Sequence, residues 1–170
     1  MKVYHIILFA SVLILGSCGV DYDVADYFNL EELPGYVAFD TDGDNAVMGD
    51  IEVAEDEGTV ELVVENPTGT NSDITVNYSL GGSAVYGTDY TIAGASASGG
   101  SVTIKPNSGA VNETIRGSIN LELLTDGEQD GEKTIEVTLV DASNADGSVA
   151  VGRGGTDLLK TARVVISDID

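Results

Sequence analysis

The chain has 170 residues, enough for one domain with a sizeable core, and its 29 acidic against 7 basic side chains give a formal net charge of −22. That balance argues against nucleic acid, which needs a basic surface, and against direct adhesion to an anionic membrane face. One Cys and one His rule out an internal disulfide framework and a Cys/His zinc site, and the 42% of apolar residues, set in periodic runs, rule out a disordered acidic chain.

The N-terminus reads as an address. Met1-Lys2 is a short basic start, residues 3–15 are apolar apart from Tyr4, His5 and Ser11, and Leu15-Gly16-Ser17-Cys18 ends the run. The run is shorter than the ~20 residues of a spanning helix, and small residues before a Cys mark a processing point. The stretch resembles a bacterial lipoprotein signal peptide, which implies that residues 1–17 are removed and that Cys18 is lipidated. The mature chain then lacks Lys2 and His5, so no imidazole remains for acid–base or metal chemistry. Acyl chains on Cys18 would hold the protein to a membrane by ~0.8 kcal/mol per buried CH₂. Residues 18–35, with Asp21, Asp23, Asp26, Glu31 and Glu32, read as an acidic tether. The expected location is the bacterial cell envelope, anchored by lipid, with the outer membrane as the expected membrane.

From residue 36 the chain reads as short strands separated by turns. Tyr36-Val37-Ala38-Phe39 is the first strand, followed by Asp40-Thr41-Asp42-Gly43-Asp44-Asn45. The alternate Asp residues have the look of an EF-hand loop, but Asn45 stands where Gly is needed and Ile51 where a bidentate Glu is needed. Ile51-Glu52-Val53-Ala54 leads into Glu55-Asp56-Glu57-Gly58, and strands follow at 59–65 and 74–78, then at 90–92, 101–105, 119–124 and 135–140, with a last one at 158–166. Period-2 alternation and Gly, Pro, Asn and Asp at the breaks carry this reading. Residues 141–157 read as a polar loop. The pattern predicts an all-β fold, an antiparallel immunoglobulin-like β-sandwich of about seven or eight strands spanning 36–170.

One turn stands out chemically. Asp126-Gly127-Glu128-Gln129-Asp130-Gly131-Glu132 packs four carboxylates between two alternating runs. Crowded carboxylates disfavour one another's ionisation unless a cation lies among them. A solvated acidic hairpin and one wall of a Ca²⁺ site, where six to eight oxygens are needed, both fit this loop.

Four blocks in order resemble the Calx-beta domain, a calcium-binding β-sandwich. They are Glu55-Asp56-Glu57-Gly58-Thr59-Val60, Ala84-Val85-Tyr86-Gly87-Thr88-Asp89-Tyr90, the loop from Asp126 to Glu132, and Val164-Val165-Ile166-Ser167-Asp168-Ile169-Asp170. The Gly-Thr-Asp-Tyr block is the most specific. The resemblance covers residues 36–170 and implies that loops at one pole of the sandwich bring Glu55, Asp89, Asp126, Asp130, Asp168 and Asp170 around Ca²⁺. Three positions depart from the family pattern. Thr125 stands where calcium-binding members have an Asp, Lys133 where they have a Glu, and Ile169 where the terminal run has an acid. Lys133 also offers a salt bridge in the cation's place.

The expected function is that of a non-enzymatic, lipid-anchored module stiffened by weak Ca²⁺ binding for a structural or interaction role. The alternative is a metal-free adhesin-like or glycan-binding module, for which Tyr86 is the better candidate for an exposed aromatic and Tyr90 reads as structural. Paired carboxylates hydrolyse glycosides when ~5–9.5 Å apart, but the mature chain has no Ser-His, Cys-His or phosphate-loop motif beside them.

Overall fold

A computed structural model of the chain describes residues 35–41, 47–106, 115–125 and 127–169. The expected signal peptide, Cys18 and the expected tether up to residue 34 lie outside the described residues, as do Asp126 and Asp170. Ten strands are described: β1 (Tyr36–Phe39), β2 (Ile51–Ala54), β3 (Thr59–Asn66), β4 (Ile74–Gly82), β5 (Tyr90–Ile92), β6 (Gly99–Ile104), β7 (Ile115–Leu123), β8 (Lys133–Asn144), β9 (Gly147–Val151) and β10 (Thr161–Ser167).

Alternation sets the faces. In β3, Val60, Leu62 and Val64 point inward while Thr59 and Glu61 face solvent. Ile119, Leu121 and Leu123 of β7 do the same, and Leu62 lies opposite Ile119 and Val60 opposite Leu121. Ile135, Val137 and Leu139 of β8 and Ala162, Val164 and Ile166 of β10 supply the facing wall, and all join one core cluster. At ~25 cal/mol per Å² of apolar surface, this double layer is the main stabilising term.

The strands run β2-β10-β8-β4-β6 on one side and β9-β1-β3-β7-β5 on the other, and the β8–β9 hairpin joins the two. All-β architecture and the sandwich are as the sequence predicts, with two more strands than the upper expectation. Two pairings are parallel, β1 with β9 and β2 with β10. A parallel neighbour arrives by a long connection, so no local turn signal announces it.

The expected polar loop at 141–157 is in part strand. β8 runs on to Asn144, whose Oδ1 accepts hydrogen bonds from the Asp146 and Gly147 N–H groups, and the chain returns as β9. A bulge makes the extension compatible with the core. Asn77 faces Asp141 and Tyr78 faces Leu139, which leaves Val140 as the extra residue. Val140 is exposed, and the one-residue shift turns Ala142 inward again. Gly82 ends β4 at φ +102° with the Thr134 carbonyl 2.2 Å from where a Cβ would sit, so only glycine fits.

On β3, Glu65 lies opposite Ala38 and Arg116. Burial pushes its carboxyl above the ordinary carboxylate range and Asp40 adds to the shift, while Arg116 and Arg153 oppose it. The folded state therefore holds this proton to higher pH than the unfolded state does. Its contribution to stability is full below the unfolded value near 4.5 and falls as pH rises through the folded value. Glu65→Gln is expected to be more stable than wild type at pH 7 and equal to it below about pH 4. Urea midpoints at the two pH values read the difference.

Candidate metal centre

The pole is assembled by register. β10 pairs with β2 in parallel so that Ser167 lies beside Ala54, and the next residues along each strand are Asp168 and Glu55. Glu55 opens a short 3-10 turn, Glu55–Glu57. On the other side of β10, Ile166 lies opposite Lys133, the first residue of β8. The acidic loop before β8 therefore arrives next to Asp168. Gly131, at φ +83°, donates its N–H to Asp168 Oδ2 at 2.7 Å. Lys133 leans back across the same loop to pair with Asp130.

Asp89 comes from the other sheet. It precedes β5, whose Tyr90 faces Leu123 of β7, and the Leu124 N–H donates to the Asp89 carbonyl at 2.9 Å. Its carboxylate closes its own turn, with Oδ2 accepting from the Val85 N–H at 2.5 Å while the Asp89 N–H donates to the Val85 carbonyl at 2.9 Å. The Gly87 N–H donates to the Tyr90 carbonyl at 2.7 Å. The Gly-Thr-Asp-Tyr block is thus a self-capped turn that aims one carboxylate at the pole.

Glu55, Asp89, Asp130 and Asp168 line one small cavity together with Leu124, Gly131, Lys133 and Ile166. Asp126 and Asp170, the other two residues that the resemblance implies as ligands, lie outside the described residues. Two of these carboxylates share one ammonium group. Lys133 Nζ is 2.6 Å from Asp89 Oδ1 and also pairs with Asp130 Oδ2. Asp89 is buried, with 7% of its side chain exposed, and Lys133 is mostly covered. The hydrogen bond to Asp130, then that to Asp89, raises the lysine pKa well above its ordinary value, so the amine is charged throughout the physiological range.

The ion that the resemblance implies for this pole is Ca²⁺. It takes six to eight oxygens at ~2.3–2.6 Å. Among the described residues no group of three or more Asp, Glu, His or Cys side chains is arranged to hold a metal ion. The free volume is about 10 Å³, room for about one water molecule. With Lys133 bridging Asp89 and Asp130, the described residues do not fit a calcium ion.

The aromatic residues take structural places. Tyr90 is buried and meets Tyr86 edge to face at 5.6 Å. The Tyr86 hydroxyl lies 3.1 Å from the carbonyls of both Ile92 and Ala95, and the ring packs on the core. The expectation that Tyr86 is an exposed platform is therefore corrected, because its hydroxyl is used to brace the β5 turn. Of the EF-hand-like stretch, residues 42–46 lie outside the described residues, and Asp40 pairs with Arg116 at 2.5 Å. A second cleft, about 290 Å³, runs from Asp40 to Val63 past Met48, Asp50, Ile51 and Glu61. Its walls come from the ends of the β1–β2 connection together with Ile51 of β2 and Glu61 and Val63 of β3, a juxtaposition that no local sequence signal announces.

No protein-family profile matches the chain, and no curated protein matches it. Solved structures do. The apo-form Calx CBD1 domain matches with a TM-score of 0.56 at 19% identity, over 80% of this chain and 98% of that one. The Calx CBD2 domain matches with a TM-score of 0.55 at 17% identity, over 78% of this chain and 86% of that one. The calcium binding domain CBD12 of CALX1.1 matches with a TM-score of 0.53 at 20% identity, over 80% of this chain and 44% of that one. Together with the strand order and the pole, these likenesses show that the chain has a Calx-beta-like fold.

Proposed function

We propose that the protein is a lipid-anchored component of a bacterial cell envelope whose Calx-beta-like module has a structural or interaction role and no catalytic one. The observation that carries the non-catalytic reading is how the pole's carboxylates are used. Asp89 holds the Val85 N–H and Lys133, Asp130 holds Lys133, and Asp168 holds the Gly131 N–H. A cavity of about 10 Å³ leaves no space for a sugar between them. The glycan-binding alternative draws no support from stacking platforms, since no aromatic side chain among the described residues is exposed. Weak Ca²⁺ binding, implied by the resemblance and named for one of the similar structures, is left out of this reading because Lys133 holds the place of the ion.

The anchor rests on Leu15-Gly16-Ser17-Cys18 and on the acidic tether, which keeps the acidic module off an anionic lipid surface by charge repulsion. Expressed from its full sequence, the protein is expected in the membrane fraction with a mature N-terminus at Cys18 bearing acyl mass, and Cys18→Ser is expected to abolish both. A wild-type protein of unmodified mass that leaves the membrane with a salt wash would end this reading.

A further inference from the structure

We infer that Lys133 is a built-in counter-ion: its ammonium does at this pole the work that the resemblance assigns to Ca²⁺, and it makes the stability of the module indifferent to that ion. The inference deepens the proposed reading of the pole and is independent of whether Cys18 is lipidated.

Four carboxylate side chains, Glu55, Asp89, Asp130 and Asp168, come to one cavity from both sheets. Their mutual repulsion has to be offset by positive charge or by donors. Two backbone donors contribute, Val85 N–H to Asp89 and Gly131 N–H to Asp168. The full positive charge comes from Lys133, which binds the buried Asp89 and the loop residue Asp130 at once. It thereby ties the β5 turn on one sheet to the start of β8 on the other, as a bridging cation would. A tethered cation loses no translational freedom on binding, so it acts at a high effective concentration and has a lasting advantage over a dissolved ion of weak affinity. Its position is set by strand register, since Lys133 opposes Ile166, two residues before Asp168.

The test uses the full chain in detergent, with thermal melts in millimolar Ca²⁺, in millimolar Mg²⁺ and in chelator. Wild type is expected to give superimposable curves. Lys133→Met is expected to melt lower in chelator and to recover by about 5 °C in Ca²⁺, with a larger response in Lys133→Glu, which adds a ligand. Lys133→Arg keeps the charge and is expected to remain indifferent to Ca²⁺. Should Lys133→Met fail to fold in chelator, its refolding yield against Ca²⁺ concentration gives the same reading. The inference is overturned by a wild-type melting temperature that rises with Ca²⁺, or by Lys133→Met melting like wild type in chelator. It is also overturned if Ca²⁺ has no effect on Lys133→Met. Loss of membrane attachment would sink the anchor and leave these melts unchanged, so the two proposals fail separately.

Discussion

Phe39→Ala is expected to lower the free energy of unfolding by about 3–5 kcal/mol, seen as a lower urea midpoint at an unchanged slope. Phe39 is fully buried and is among the largest side chains of the core. It ends β1, the strand held between β9 and β3, and lies opposite Val64. Its N–H donates to the Leu159 carbonyl at 2.9 Å, which fixes the backbone and limits how far the strand can move to fill a void. A cavity that cannot collapse costs both the lost transfer energy and the lost contacts. Val140→Ala is the control. Val140 is the bulged residue and 52% exposed, so its truncation is expected to change stability by no more than about 0.5 kcal/mol. A loss below about 1 kcal/mol for Phe39→Ala would mean that β1 is not the strand clamped between the two halves of the second sheet.

Asp89→Ala is expected to have the next largest effect, and to exceed Asp89→Asn. The alanine leaves the Val85 N–H without its acceptor in a turn that is partly buried, which costs about 1–3 kcal/mol. It also removes one of the two carboxylates that hold Lys133. The asparagine keeps a carbonyl oxygen for Val85 and gives up only the charge toward Lys133. The order wild type, Asn, Ala in unfolding free energy, with the wild type–Asn step nearly absent in a Lys133→Met background and the Asn–Ala step retained, separates the ion pair from the capping role. Equal effects of Asn and Ala would show that Asp89 acts through its charge alone.

Much of the fold was legible because one face of each sheet is buried. The alternation of Val60, Leu62 and Val64, or of Ile135, Val137 and Leu139, sets which side chains point inward before any partner strand is known. β9 was missed because Ser148, Val149, Ala150 and Val151 form a weak apolar run between glycines, and its pairing depends on β1, more than a hundred residues earlier. Tyr86 looked exposed because its polar hydroxyl says nothing about which carbonyls it will meet.

The pole divides in the same way. Residue types alone determined that acids crowd the loop from Asp126 to Glu132, that Asp89 lies in a tight Gly-containing turn, and that Lys133 carries the nearest positive charge in the chain after that acidic run. Charge, turn chemistry and strand alternation are local properties, so they can be read in order. Only the tertiary structure decided that Ala54 lies beside Ser167 and Ile166 opposite Lys133, and that the β5 turn from the other sheet brings Asp89 to within 2.6 Å of the same ammonium. Those distances follow from pairings between strands far apart in sequence, whose register is set by packing across the whole core rather than by the residues at the site.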